Sequence, residues 1–225
     1  MNIAILDYDN TLSEGYSRYE LGFLMEEKGL IEHGLREEIE EVQGNYEQGY
    51  IDYNTKFRDD KKIFGRYYEG LKRTDIVRFV REEFDMTKLL FPWSKKFISI
   101  LKDNGYLTIV VSGCWDFLLE EAQDLLDFDS FFGTEFHFDE NIATGDFTTI
   151  IDENKKRSVT KSLLQTTEKT FGMGDSVADF EILDQVDISF LYEPKYDAEE
   201  LAKKRNYLIV NRDNVLDRLN EALAD

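Results

Sequence analysis

The chain has 225 residues, 42% of them hydrophobic, and a formal net charge of −20. That length and apolar content exclude a disordered chain and suit one large α/β domain or a domain carrying an insertion. So acidic a balance excludes a nucleic-acid partner, which demands a basic footprint, and it opposes binding to anionic membrane surfaces.

The first apolar run, Asn2 to Leu6, reads as a buried strand, and "MNIAILDYDN" lacks the basic flank of a secretory leader, so the expected location is the cytoplasm. Asp7 and Asp9 leave that strand's carboxyl end on one side, because side chains alternate faces along a strand. Two carboxylates about 4 Å apart repel by roughly 4 kcal/mol at an effective dielectric near 20. A bound cation is the simplest group that offsets this. From Ser13 to about Met86 the pattern is helical throughout, with Tyr16, Tyr19 and Phe23 at helical spacing. After "LLFPW" the texture changes to alternating helices and short apolar strands. "SKKFISILKDNG" is an amphipathic helix, "YLTIVVS" a buried strand, and "DFLLEEAQDLLD" a second helix. "TEFHFDENIATGDFTT" alternates around an Asn-Ile-Ala-Thr-Gly turn, Asn141 to Gly145, and reads as a hairpin, followed by a helix near "VTKSLLQTT" and a strand near "KTFGM". A helix from about Val177, the strand "DISFLY", the helix "DAEELAKKR" and the strand "YLIVN" complete the chain. No stretch reaches the roughly 18 apolar residues of a membrane span.

This alternation implies a doubly wound parallel α/β sheet, and the helical block after the first strand reads as an inserted domain. The expected division is a core of residues 1–12 and 87–225 with a helical insertion at 13–86. Ligands of such sheets bind outside the carboxyl ends of the strands. Three of those ends carry polar residues: Asp7 and Asp9, Ser112, and Asp175 in "GMGDSVADFEIL", with Asp179 four residues on. Four carboxylates there form a hard oxygen site that suits Mg²⁺, which takes a few carboxylates and leaves room for a phosphate oxygen.

"DYDNT", "VVSG", a lysine near "NKKR" and "GDSVAD", in that order, resemble the four motifs of the haloacid dehalogenase superfamily of phosphohydrolases. The helical insertion is similar to that family's C1 cap over a Rossmannoid core, and the spacing is most similar to the phosphoserine phosphatase-like branch. The resemblance implies a magnesium-dependent phosphomonoester hydrolase in which Asp7 is the nucleophile and forms an aspartyl phosphate. Asp9 is then the general acid and base, and its carbonyl a metal ligand beside Asp7 and Asp175, with Asp179 supporting the metal. Ser112 and the Gly113 amide hold phosphoryl oxygens, and a lysine neutralises them. Lys156 is favoured for that lysine over Lys155, with Lys161 third. Two departures weaken phosphoserine as the substrate: Asn10 stands where those enzymes usually have serine, and Ala178 where they have asparagine.

Arg58 and Arg66 lie in a tyrosine-rich part of the insertion and are candidates to grip substrate. His33 and His137 lack metal-ligand spacing, and the lone Cys114 reads as a packed thiol that also excludes a disulfide framework. The expected partner is a small phosphorylated metabolite, enclosed by the cap and shielded from water, with the protein a monomer or homodimer. A phosphotransferase using the same intermediate, or a non-catalytic binder of a phosphorylated ligand, are the alternatives.

Overall fold

The computed structural model of the protein describes residues 1–149, 155–194 and 197–224. In chain order the elements are β1 (Asn2–Leu6), α1 (Ser17–Glu27), α2 (Leu35–Glu47), α3 (Tyr53–Tyr68), α4 (Arg73–Glu83) and α5 (Ser94–Asp103). Then come β2 (Tyr106–Trp115), α6 (Asp116–Leu126), β3 (Ser130–Asp139), β4 (Ile142–Thr148), α7 (Lys155–Leu163) and β5 (Thr170–Gly174). The last are α8 (Phe180–Leu183), β6 (Ile188–Tyr192), α9 (Asp197–Arg205), β7 (Leu208–Val210) and α10 (Val215–Ala224). They fall into two compact units. One comprises Met1–Gly15, Met86–Thr134 and Thr149–Asp225, and the other Tyr16–Asp85 and Glu135–Thr148.

The first unit is built on a parallel sheet. β1 pairs with β2 on one side and β5 on the other, β2 continues to β3, and β5 continues through β6 to β7. Ile3 to Leu6 of β1 and Ile109 to Val111 of β2 are unbroken apolar runs because both faces of the sheet are covered there. On one face Ile3, Ile5, Ile109 and Val111 pack with Ile182 and with Val159 and Leu163 of α7. On the other, Phe97 of α5 lies 5.8 Å from the Phe171 ring, which meets Phe190 at 4.9 Å. The chain winds outward in one direction through β2 and β3 and in the other through β5, β6 and β7. The reversal falls at β1, and the crevice at the carboxyl ends of β1, β2 and β5 is the topological switch point where α/β sheets bind ligands.

The second unit holds α1 to α4, with Leu21, Met25, Leu35, Ile39, Phe64, Ile76 and Val80 in its core. It also takes in the hairpin segment Glu135–Thr148, which the sequence grouped with the core. The reason is a set of contacts no local pattern encodes. The Gly70 amide donates to the Ala143 carbonyl at 2.9 Å, the Ala143 amide to Leu71 at 2.8 Å, and the Arg73 amide to Asn141 at 2.9 Å. Phe136 packs 5.4 Å from Tyr68 and 5.5 Å from Phe147. Among the described residues no helix is long and apolar enough to cross a membrane.

Candidate active site

Asp7 directly follows β1, and its amide donates to the Met173 carbonyl of β5 at 2.9 Å, which continues the ladder just past the strand end. The chain then turns sharply. The Tyr8 carbonyl accepts the amides of Thr11, Leu12 and Ser13 at 3.1, 2.8 and 3.1 Å, so it is consumed by the turn. Asn10 sits at φ +58°, a left-handed conformation that asparagine tolerates better than most side chains, and its Oδ1 accepts the Gly15 amide at 3.2 Å. The departure at Asn10 thus has a local backbone reason. The Thr11 hydroxyl lies 3.5 Å from Asp7 Oδ2, and Asp7, Asp9 and Thr11 are all buried.

Lys156, from the first turn of α7, reaches between two carboxylates. Its Nζ donates to Asp7 Oδ1 at 3.0 Å and to Asp179 Oδ1 at 2.5 Å. Burial opposes its charge, but the Asp179 and Asp7 carboxylates outweigh that and hold the ammonium protonated well above the ordinary lysine range. Burial likewise pushes the Asp7 carboxyl up, to about 7, with Lys156 pulling it back and the charge of Asp179 pushing it further. Lys161 is exposed on the same helix, and the Lys155 side chain lies outside the described residues.

Asp179 is held from several sides. Its Oδ2 accepts the Asp175 amide at 3.1 Å, the Ser176 amide at 3.0 Å and the Ser176 hydroxyl at 3.0 Å. This places the carboxylate directly over Gly174, where any Cβ would collide with it. Glycine is therefore required at the end of β5. Asp7, Asp175 and Asp179 present carboxylate oxygens that all lie within 4.8 Å of one another, whereas the Asp9 carboxylate is not part of that group. Among the described residues one ammonium, Lys156, is paired with two of these three carboxylates, which leaves a negative surplus in a poorly solvated place. The donor set, all hard oxygen, fits a small divalent cation such as Mg²⁺. Ser112 is buried in the last part of β2, where its Oγ accepts the Cys114 amide at 3.3 Å, with Gly113 between them.

In the helical unit Arg58 and Arg66 are exposed. Arg58 lies 3.9 Å from Asp59, and Arg66 pairs with Glu38, whose second oxygen accepts the Tyr67 hydroxyl at 2.9 Å. The sequence passed over a different set there. Arg18, Lys56 and Asp60 are buried together, with Asp60 Oδ2 3.3 Å from Arg18, 3.2 Å from Lys56 and bonded to the Tyr19 hydroxyl. The signal was present: Lys56, Asp60 and Phe64 recur at i, i+4 and so share one face of α3.

The family model of haloacid dehalogenase-like hydrolases matches residues 4–184. The chain belongs to that family. No curated protein sequence matches it at a significant level. Among solved structures it is similar to a HAD family hydrolase from Salmonella enterica serovar Typhi, with TM-score 0.69 and 16% identity over 93% of this chain. It spans 66% of that protein, just under two thirds of its length. It is also similar to a phosphoserine phosphatase solved as a phospho-aspartyl intermediate analogue, with TM-score 0.71 and 16% identity over 96% of this chain and 97% of the other. A third is a phosphoserine phosphohydrolase-like protein from Francisella tularensis, with TM-score 0.67 and 17% identity over 93% and 95% of the two chains. At such identities the likeness establishes the shared fold.

Proposed function

We propose that the protein is a Mg²⁺-dependent phosphatase that hydrolyses a small phosphorylated metabolite through an aspartyl phosphate on Asp7. The observation that carries this reading is the convergence of Asp7, Lys156, Asp175 and Asp179 at the switch point of the sheet. Such a set has little use in packing a core and a clear one in handling a phosphoryl group.

Asp7 and Asp175, with the Asp9 carbonyl, would hold the ion, which supplies charge neutralisation to the phosphoryl oxygens. An Asp7 oxygen attacks phosphorus as the bond to the leaving alcohol breaks, and the Asp9 carboxyl gives that alcohol its proton. Asp9 then takes a proton from water as the water oxygen attacks phosphorus, which releases phosphate and restores the Asp7 carboxylate. Ser112 and the Gly113 amide donate to phosphoryl oxygens, and Lys156 balances their charge while holding Asp7 in place. Asp179 keeps Lys156 and the Gly174–Ser176 turn in register. The test is release of phosphate from an aryl phosphate, expected with Mg²⁺, abolished by EDTA and lost in Asp7→Asn and Asp9→Asn. Full turnover in either variant overturns the assigned roles.

A further inference from the structure

The end of β2 departs from a regular strand, and the departure falls on the residues assigned to phosphate. β2 and β3 pair in register at Ile109 with Ser130, Val110 with Phe131 and Val111 with Phe132, and next at Trp115 with Thr134. Four steps along β2 are thus matched by two along β3. Ser112, Gly113 and Cys114 lie in a bulge, a device that takes residues out of the ladder and re-aims their side chains and amides.

A bulge gives up ladder hydrogen bonds, and something else must hold it. Two neighbouring residues of β3 do so. At Gly133 an added Cβ would stand 3.0 Å from the Cys114 carbonyl and 2.8 Å from Leu119 Cδ1, so glycine lets the bulge sit close against β3 where a larger residue would push its neighbours back. At Thr134 the buried hydroxyl donates to the Gly113 carbonyl at 3.0 Å. Thr149, also buried, places its hydroxyl 3.1 Å from that of Thr134. A carbonyl can only accept, so the single Thr134 proton goes to Gly113, and Thr149 must be the donor of the second bond. The two hydroxyls form a polarised relay that ends on the bulge.

We propose that Thr134, backed by Thr149, is a positioning residue for the phosphate-binding bulge, fixing the tilt of the Ser112–Cys114 backbone so that the Gly113 amide and the Ser112 hydroxyl face the phosphoryl group. This rests on the phosphatase reading for its kinetic consequence but not for its structural one. A hydroxyl that merely filled space would be replaced without loss by an isosteric methyl group, and a clasp would not.

The experiment compares Thr134→Val, Thr134→Ser and Thr149→Val with the wild-type full chain in two measurements. The first is steady-state hydrolysis of an aryl phosphate with Mg²⁺. The second is amide hydrogen exchange at Gly113, Cys114 and Trp115, with exchange in β1 and β5 reporting whether the fold is retained. Thr134→Val should lower kcat and kcat/KM together by about tenfold, since a misplaced donor is felt in the transition state. It should also speed exchange in the bulge alone, with Thr134→Ser restoring both and Thr149→Val giving the same pattern more weakly. Wild-type turnover together with an unchanged kcat in Thr134→Val overturns the proposal. A wild-type protein with no phosphatase activity contradicts the functional reading instead, and the clasp is then decided by exchange: no change in the bulge in Thr134→Val overturns it. If Thr134→Val loses protection throughout β1 and β5, Thr149→Val decides in the same way.

Discussion

Lys156 is the only ammonium among the described residues that reaches the carboxylates at the switch point, so removing it tests the electrostatics of the site. At an effective dielectric near 20, an ion pair at 3.0 Å is worth about 5.5 kcal/mol of Coulomb attraction, and one at 2.5 Å about 6.6 kcal/mol. Burial of three charges opposes most of this. What remains on deleting one partner of a buried pair is a loss of about 3–5 kcal/mol, because the other charges are left uncompensated. Lys156→Met keeps the length of the side chain and removes the charge. In EDTA its thermal midpoint should fall by about 6–20 °C, taking about 2–4 °C per kcal/mol for a chain of this size. Mg²⁺ should raise the midpoint of the variant more than that of the wild type, since the ion then replaces the positive charge that Lys156 brings to Asp7 and Asp179. Turnover should stay depressed even at saturating Mg²⁺. A variant as stable as the wild type in EDTA, or one to which Mg²⁺ gives no extra stability, would refute this balance of charges.

Three further outcomes follow from the same contacts. Ser112→Ala should reduce kcat by about 10²- to 10³-fold, the usual loss for one oxyanion donor, with the thermal midpoint near that of the wild type. In the helical unit, Asp60→Ala leaves Arg18 and Lys56 without their shared carboxylate and should destabilise that unit by about 3–5 kcal/mol, read by proteolysis of α1 and α3. Burial works to raise the Asp129 carboxyl, but hydrogen bonds from the Thr108 amide and hydroxyl and the nearby Lys102 ammonium outweigh it and hold its pKa below the usual range. A depressed carboxylate contributes stability that is complete above its unfolded value, about 3.9, and lost as pH falls through the lower folded value. Asp129→Asn should therefore flatten the acid limb of the unfolding curve below about pH 4 and leave its slope at neutral pH unchanged.

What could be read from the sequence was mostly what is local. β1 was expected over Asn2–Leu6 and lies there, because four consecutive apolar residues ahead of Asp-x-Asp admit few alternatives. "KTFGM" and "YLIVN" fell within a residue of β5 and β7, and "DAEELAKKR" matches α9. Lys156, the lysine favoured from the sequence, places its ammonium beside Asp7 and Asp179. The features that escaped depend on residues far apart in the chain. β2 was expected to end at Ser112 but runs to Trp115, because a bulge shows only once β3 is aligned against it. The hairpin was expected with its turn over Asn141–Gly145, but the chain turns at Glu140 and Asn141, both at positive φ, and β4 already begins at Ile142. Its grouping with the helical unit rests on bonds from Gly70, Ala143 and Arg73. Arg58 and Arg66 stood out as cations among tyrosines. Helical periodicity places Lys56, Asp60 and Phe64 on the buried face of α3 and leaves those two arginines to solvent.

The claim beneath this account is that the Asp7 carboxylate becomes bonded to phosphorus during turnover. Quenching the working enzyme with borohydride would reduce an acyl phosphate to an alcohol, and mass spectrometry of the amino-terminal peptide would locate it. The account predicts homoserine at position 7, dependent on both Mg²⁺ and substrate and absent in Asp7→Asn. Steady phosphate release with Asp7 left unreduced, or with the phosphoryl group found on Ser112, would contradict it.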